Sequence, residues 1–153
     1  MERADAIRLA TELMSVSPAA YLSTIGQEGF PETRAMLNLR NPSLYPELSG
    51  LFAKHSSDLL IYFTTNTSSR KMRHIAANPK VCVYYARPEE WRGLMVKGTL
   101  EIVTDLALRK ALWQQNWTMY YPLGYHDPDY SILCLRPDHA NGYQQMTFYT
   151  IDF

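Results

Sequence analysis

The sequence predicts a mainly β protein, in which six to seven antiparallel strands form a barrel decorated with helices. Two observations favour this class. The chain contains about seven short apolar segments of strand length, and the first two, within Ala20–Leu39, lie close enough in sequence to form a hairpin. Helices occur singly between the strands, whereas a doubly wound sheet needs regular alternation of strand and helix. The length of 153 residues suits a single domain covering residues 1–153.

The first half of the chain is predicted to contain a helix, a hairpin, a short helix and a third strand. Apolar side chains recur at helical spacing from Ala6 to Met14, and Pro18 follows the end of that pattern. Gly26 and Gly29 mark the turn of the hairpin. The predicted elements are a helix over residues 3–15, strands Ala20–Ile25 and Glu32–Leu39, a short helix within residues 40–57, and a strand Asp58–Thr65.

The second half is predicted to contain two helices and four strands. Asn78-Pro79 ends the first of these helices, because the residue before a proline disfavours helical backbone. Gly98 indicates a bulge or a close approach inside its strand, and Asp105 is placed to cap the next helix. The predicted elements are helix Thr67–Ala77, strands Lys80–Ala86 and Leu94–Val103, a helix over residues 106–117, a loop Tyr120–Asp129, and strands Tyr130–Arg136 and Gln145–Asp152.

Composition excludes several classes of protein. Fifteen basic and fifteen acidic residues give no net charge, which argues against a dedicated nucleic-acid binder. No apolar run approaches the roughly 18–20 residues of a membrane span. Cys82 and Cys134 are too few for a disulfide framework, so a cytoplasmic protein with reduced thiols is expected.

The polar residues show no complete catalytic motif. None of the four histidines pairs with another histidine or a cysteine at the spacing of metal ligands, so no metal site is predicted. Paired carboxylates, a nucleophile elbow and a glycine-rich phosphate loop are also missing from the pattern. The sequence therefore assigns no catalytic residue.

The segment from Thr64 to Lys71 is a candidate anion site. It joins a strand to a helix N-terminus, where free backbone N–H groups carry a partial positive charge. Arg70 and Lys71 in the first turn oppose the helix dipole by about 0.3–1 kcal/mol each. A bound phosphate would reverse that conflict, since arginine can bind it through two hydrogen bonds. The alternative is that both side chains are ordinary helix formers that point into water.

Arg34 is a second candidate cation. If its strand lies beside Asp58–Thr65, Arg34 would join Arg70 and Lys71 around one anion. The alternative is again a solvated side chain.

These residues resemble the flavin-binding core of the pyridoxamine 5'-phosphate oxidase-like split-barrel family, over about Ala20 to Tyr143. Pro122-Leu123-Gly124, Asp127-Pro128-Asp129-Tyr130 and Leu135-Arg136-Pro137 are similar to its general stress protein subgroup. The most specific part is the spacing of Ser69-Arg70-Lys71 and Asn78-Pro79.

The resemblance implies an antiparallel split barrel and a homodimer with FMN at the subunit interface. It implies that Arg34, Arg70 and Lys71 hold the FMN phosphate with help from Ser69. It further implies that Met36, the Phe63 and Thr64 backbone and the neighbouring Thr65 line the ribityl chain and the ring. The cofactor-binding residues expected from it are Arg34, Met36, Phe63, Thr64, Thr65, Ser69, Arg70 and Lys71.

The sequence departs from the oxidases of this family at three places. No lysine or arginine follows Arg136, so the C-terminal cation that binds a substrate phosphate is missing, which argues against oxidation of pyridoxamine phosphate. Gly93 stands after Arg92 where the oxidases have glutamine, and Gln144 follows Tyr143 where the stress-protein subgroup often has tryptophan. The remaining candidates for a residue that stacks on the ring are Trp91, Trp113, Trp117 and Tyr120.

Three functional hypotheses follow. The first is an FMN-dependent oxidoreductase acting on a small substrate or a nicotinamide electron donor. The second is a non-catalytic module that binds or senses flavin, or that binds haem or a deazaflavin instead. The third is a protein interaction domain, for which the three cations are ordinary surface charges.

Overall fold

Seven strands and four α-helices make up the computed structural model, which describes residues Met1–Phe153. The helices are α1 (Arg3–Val16), α2 (Ser49–Ala53), α3 (Arg70–Ala77) and α4 (Leu106–Leu112). The strands are β1 (Ala20–Ile25), β2 (Pro31–Met36), β3 (Ile61–Asn66), β4 (Lys80–Arg87), β5 (Arg92–Val103), β6 (Tyr130–Gln144) and β7 (Thr147–Asp152). The predicted mainly β class is confirmed.

All seven strands belong to one antiparallel sheet that is curled into a half-barrel. Its order is β2-β1-β4-β5-β6-β3, and β7 also pairs with β6. The same edge of β6 is shared between two partners, because β3 pairs with Tyr130–Leu135 and β7 pairs with His139–Gln144. This division of a long strand between two neighbours produces the split in the barrel.

The strand predicted as Tyr130–Arg136 is in fact much longer and continues to Gln144. Pro137 suggested an end, since proline removes a hydrogen-bond donor from a sheet. A bulge accommodates it: Gly98 lies opposite Pro137 and Lys97 opposite His139, which leaves one residue of β6 unpaired between them. The bulge predicted at Gly98 is therefore confirmed.

Several other element boundaries differ from the sequence prediction. The helix predicted over residues 106–117 ends at Leu112, because Trp113 adopts extended backbone, and a 3₁₀ turn follows at Gln115–Met119. Its predicted cap is confirmed, since Asp105 Oδ1 accepts a hydrogen bond of 3.1 Å from the Ala107 N–H. The strand predicted as Glu32–Leu39 covers Pro31–Met36, the short helix within 40–57 is reduced to residues 46–53, and the strand predicted as Asp58–Thr65 covers Ile61–Asn66.

The chain has two separate apolar cores. The larger one fills the barrel and includes the buried face of α1, with Ala10, Leu13 and Met14 at most 1% exposed. The smaller one lies under α2, α4 and the 3₁₀ turn and is rich in aromatic rings, including Trp117 and Tyr130. The second core matters for function because it supports one wall of the cleft described below. None of the helices has the length and apolar character that a membrane crossing requires.

Candidate functional site

The β1–β2 hairpin presents its polar residues to α3. Glu32 and Arg34 are two apart on β2, so they share one face of the sheet. Their partners in register, Thr24 and Leu22 on β1, are fully buried on that face. Because α3 packs against β1, these strand residues meet the first turns of that helix.

The loop that leads into α3 is held by Asp129. Its Oδ2 accepts a hydrogen bond of 2.6 Å from Asn66 Nδ2, its Oδ1 one of 2.8 Å from the Ser68 N–H, and its backbone carbonyl one of 2.8 Å from the Thr67 N–H. Hydrogen bonds from Asn66 and Ser68 lower the pKa of the Asp129 carboxyl. Because these contacts hold residues 66–68 in a loop, the helix begins at Arg70 and not at Thr67, where the sequence predicted its start. The Lys71 N–H in its first turn has no acceptor within the chain.

Arg34 is a half-buried cation without a carboxylate partner. Its Nη1 donates to the Leu22 carbonyl at 3.1 Å and to Thr24 Oγ1 at 2.8 Å. Burial lowers the pKa of Arg34 and the charge of Arg70 lowers it further, whereas Glu32 raises it. No carboxylate oxygen lies within ion-pair distance of Arg34.

Lys71 is a second half-buried cation without an anionic partner. Its Nζ donates to Thr65 Oγ1 at 2.8 Å and to Ser69 Oγ at 3.3 Å, so both of its contacts are neutral hydroxyls. Burial lowers the pKa of Lys71, and the positive charge of Arg34 lowers it further. Arg34 and Lys71 are thus brought near each other without the negative charge that would offset their repulsion.

Arg70 takes a different position from its two predicted companions. It forms an ion pair with Glu32 and is largely exposed. The same carboxylate contacts His74 Nε2 at 3.2 Å through its second oxygen. Arg70 lines a polar hollow of about 270 Å³ beside the turn of the hairpin, and it is not among the residues that line the cleft containing Lys71.

A cleft of about 450 Å³ opens beside Lys71, between β2, β3 and the segment around Trp117. Lys71 is the only charged residue in its lining. The other lining residues are Pro18, Ala19, Ala35, Met36, Leu37, Asn38, Leu44, Tyr45, Thr64, Thr65, Asn66, Trp117, Tyr120 and Tyr121. The cleft therefore has a single cationic side chain in an otherwise uncharged lining.

The predicted cofactor residues have distinct places around this cleft. Met36, Thr64, Thr65 and Lys71 line it. Ser69 contacts Lys71, and Arg34 on β2 is close enough for its charge to lower the pKa of Lys71, but neither Ser69 nor Arg34 lines the cleft. The Phe63 side chain is fully buried in the larger core, so that residue has only backbone to offer the site.

An aromatic wall, formed by Tyr45, Trp117, Tyr120 and Tyr121, closes the far side of the cleft. The ring of Trp117 packs edge-on against Tyr45 at 6.2 Å between centroids. Tyr121 OH donates to Asn66 Oδ1 at 3.3 Å, which connects the wall to the loop before α3. Of the four aromatic candidates in the sequence, only Trp117 and Tyr120 line the cleft. Tyr45 and Tyr121 were not predicted, and the density of aromatic residues at 113–125 was an available signal for Tyr121 alone.

The histidines of this chain lie outside the cleft, and no residues there are arranged to bind a metal ion. His55 contacts Asp58, His139 contacts Asp152, and His74, on the buried face of α3, is 3% exposed. No histidine is part of the lining, and no group of three histidine, cysteine or acidic side chains is placed to hold a metal ion.

The curled antiparallel sheet with a cationic cleft beside a helix N-terminus defines a split-barrel protein that can accept an anionic ligand. The family model described as "Pyridoxamine 5'-phosphate oxidase like" matches residues 51–149, a range that contains β3, α3 and the helix residues Arg70 and Lys71. The chain belongs to this pyridoxamine 5'-phosphate oxidase-like family.

Three similar proteins show how far the similarity extends. A pyridoxine/pyridoxamine 5'-phosphate oxidase of Flavobacterium johnsoniae is 34% identical over 91 residues, which cover 57% of this chain and 36% of that protein. The aligned region thus spans about a third of the length of this curated relative. A Clostridium acetobutylicum structure, described as related to general stress protein 26 of B. subtilis, is 29% identical with a TM-score of 0.76 and covers 100% of this chain and 97% of its own.

The third protein shows the fold alone. It is a haem-binding protein from Mycobacterium smegmatis, 13% identical with a TM-score of 0.67, matched over 96% of this chain and 57% of its own. Because one protein with this fold binds haem, the fold does not by itself determine the cofactor. The side chains in the cleft must decide it.

Proposed function

We propose that this protein binds FMN and acts as an FMN-dependent oxidoreductase on a small substrate. One observation carries the proposal: Lys71, the only charged residue in the lining of the cleft, and Arg34, which is close enough to lower the pKa of Lys71, are half-buried cations without a carboxylate partner. Uncompensated charges of one sign are costly in a protein, and perturbed groups of this kind concentrate at functional sites. The phosphate of FMN supplies the missing negative charge.

The donors present fit that phosphate. The Arg34 guanidinium, the Lys71 ammonium and the Lys71 N–H give it charged and backbone hydrogen bonds, and the Ser69 hydroxyl adds a neutral one. Met36 and Thr64 offer an apolar and polar lining for the rest of the cofactor. When bound, FMN supplies hydride and electron transfer, and this chain binds and orients it.

The uncharged part of the cleft favours an uncharged substrate. Lys71 is the only cation in the lining, and no lysine or arginine follows Arg136 in the sequence. With Lys71 committed to the cofactor, a phosphorylated substrate finds no second cation in this cleft. The aromatic wall at Tyr45 and Trp117 instead favours a flat, neutral molecule or the nicotinamide ring of an electron donor.

A homodimer that completes the cleft belongs to the same proposal. The apolar or aromatic side chains of Val16, Tyr21, Leu37, Leu44, Tyr84 and Tyr120 are all exposed near its rim. A neighbouring hollow of about 610 Å³ shares Pro18 and Leu44 with the cleft. Contiguous apolar surface of this kind is typical of an interface, and the partner would cover both depressions together.

A flavin-binding module without turnover is the second candidate function. The observation in its favour is that the cleft lining contains neither a carboxylate nor a histidine. Its ionisable side chains are Lys71 and three tyrosines, so the lining offers no carboxylate or imidazole as an acid or base. A flavin can exchange hydride with a donor without such a group, which is why oxidoreduction remains the main proposal.

Cofactor analysis of the purified protein tests the proposal. We expect a yellow protein that releases FMN on denaturation, and apoprotein that binds FMN more tightly than riboflavin. Anaerobic addition of NADH or NADPH should bleach the flavin, and air should restore it. Protein that binds FMN but is not reduced would support the module without turnover, whereas haem binding without flavin affinity would contradict both.

The affinity for FMN is expected to fall as the pH rises in the alkaline range. In the protein without ligand, the pKa of Lys71 lies below the ordinary lysine value of 10.5. A bound phosphate dianion would raise this pKa again. Binding is therefore strongest below the lowered pKa, where free Lys71 is charged, and weakens above it by up to about tenfold per pH unit. Fluorescence titrations between pH 7.5 and 10 measure this dependence.

Lys71→Arg is the control for this pH dependence. Arginine stays charged throughout the range, so the variant should show a flatter profile. Equal slopes for the two proteins would contradict the assignment of Lys71 to the phosphate.

A further inference from the structure

A chain of two hydrogen bonds and one further polar contact connects Arg34 to Glu32 through Thr24 and His74. Arg34 Nη1 lies 2.8 Å from Thr24 Oγ1, and the same oxygen lies 2.9 Å from His74 Nδ1. On the other side of the ring, His74 Nε2 lies 3.2 Å from Glu32 Oε2. Thr24 is fully buried and His74 is 3% exposed, so the hydrogen bond between them is shielded from water.

Donor and acceptor chemistry gives this chain one direction. A guanidinium only donates, so Thr24 Oγ1 accepts from Arg34. The single hydroxyl proton of Thr24 is then directed to Nδ1 of His74, which must be unprotonated to accept it. A neutral imidazole with Nδ1 free carries its proton on Nε2, which lies 3.2 Å from Glu32 Oε2.

Each group in the chain limits the donor and acceptor roles that are open to the next group. If His74 carried protons on both nitrogens, the Thr24 hydroxyl would face a donor on each side and its own proton would have no acceptor. If Thr24 lacked its hydroxyl, Arg34 would keep only the Leu22 carbonyl as a partner. The orientation of the Arg34 guanidinium therefore depends on a histidine that does not itself reach the cleft.

We infer that Thr24 and His74 are positioning residues that orient Arg34 toward the phosphate of the cofactor. This inference rests on the proposed FMN function, and it adds residues to the site that do not touch the ligand. Glu32 anchors the far end of the chain through His74 and also pairs with Arg70. The same carboxylate thus fixes the histidine and holds Arg70 on the outer side of α3.

Binding measurements on Thr24→Val and Thr24→Ser test the inference. Valine keeps the shape of threonine but removes the hydroxyl, and serine keeps the hydroxyl. The dissociation constant for FMN should rise about tenfold in Thr24→Val, the usual effect of one lost hydrogen bond to a charged group, and stay near the wild-type value in Thr24→Ser. Riboflavin, which has no phosphate, should bind the wild type and both variants equally.

The ratio of FMN to riboflavin affinity separates positioning from general damage. A variant that merely destabilises the fold would lose affinity for both ligands. An unchanged ratio in Thr24→Val would overturn the inference while the FMN proposal stands. Wild-type protein without affinity for FMN would overturn both.

The nitrogen chemical shifts of His74 give a second test that needs no variant. In wild-type protein labelled with ¹⁵N at histidine, we expect neutral His74 with the proton on Nε2 and an unprotonated Nδ1. A proton on Nδ1 would reverse the direction of the chain and overturn the inference, whether or not Thr24→Val folds.

Discussion

Replacing Arg34 and Lys71 together by alanine is expected to abolish most of the preference for FMN over riboflavin. Each charged hydrogen bond to the phosphate contributes about 1.5–3 kcal/mol, so the pair contributes about 3–6 kcal/mol, or 10²- to 10⁴-fold in affinity. Riboflavin binding should change little, because the ring and ribityl contacts remain. Parallel fluorescence titrations with the two ligands measure the difference.

Arg70→Ala provides the matched control, since Arg70 is the immediate neighbour of Lys71 in the same helical turn. It is paired with Glu32 and stands outside the cleft, so its removal should cost less FMN affinity than removal of Lys71. An equal loss in Lys71→Ala and Arg70→Ala would show that Arg70 leaves Glu32 to bind the phosphate. An unchanged FMN affinity in the double variant would contradict the phosphate site itself.

Sequence patterns could locate the candidate site residues because these residues are local to two elements. Ser69, Arg70 and Lys71 follow β3 directly, and the helix that contains them ends at Asn78-Pro79 as predicted. Arg34 required only the β1–β2 hairpin, whose strands are close in sequence. Short-range patterns of strand, turn and helix are the part of a fold that periodicity reveals.

The partners of these residues could not be predicted, because they come from distant parts of the chain. Glu32 on the hairpin draws Arg70 away from Lys71, and no local pattern indicates that pairing. Asp129 holds the loop before α3 although it lies 61 residues beyond Ser68. These contacts depend on how the sheet curls, which is a property of the whole strand order.

The length of β6 and the aromatic wall were missed for related reasons. Pro137 normally argues against a continuous central strand, and only the pairing of Gly98 opposite it makes the bulge possible. Tyr45 and Trp117 become neighbours because the second core folds two distant loops against β3. Aromatic density in the sequence indicated a surface or core but not which rings would face the cleft.

The outer face of the sheet presents a row of aligned residues from four strands. Register aligns Ala35, Tyr21, Tyr84 and Met95 in one row across four strands, and the first three are exposed. Burial and a 3.5 Å contact with Tyr143 OH raise the pKa of Tyr84 to about 12, so this hydroxyl stays neutral at physiological pH. A neutral, largely apolar row is suited to pairing with its own copy through a twofold axis.

Tyr84→Glu is therefore expected to convert a homodimer into monomers and to weaken FMN binding at the same time. An unpaired charge buried in an interface costs about 3–5 kcal/mol, which raises the dissociation constant of the dimer at least about a hundredfold. Tyr84 does not line the cleft within one chain, so a loss of FMN affinity would arise from the missing partner. Sedimentation velocity and FMN titration on the same samples report the two effects.

Ile102→Glu is the control for this experiment, because Ile102 is an exposed apolar residue at the far end of β5. Its charge should remain in water and leave both dimer and flavin affinity unchanged. A Tyr84→Glu protein that stays dimeric would place the interface elsewhere, and a wild-type monomer that binds FMN fully would remove the need for one. If dimerisation and flavin binding are lost together only in Tyr84→Glu, the cleft and the outer face act as one site. The same second copy then covers the row of Tyr21 and Tyr84 and closes the cofactor cleft beside it.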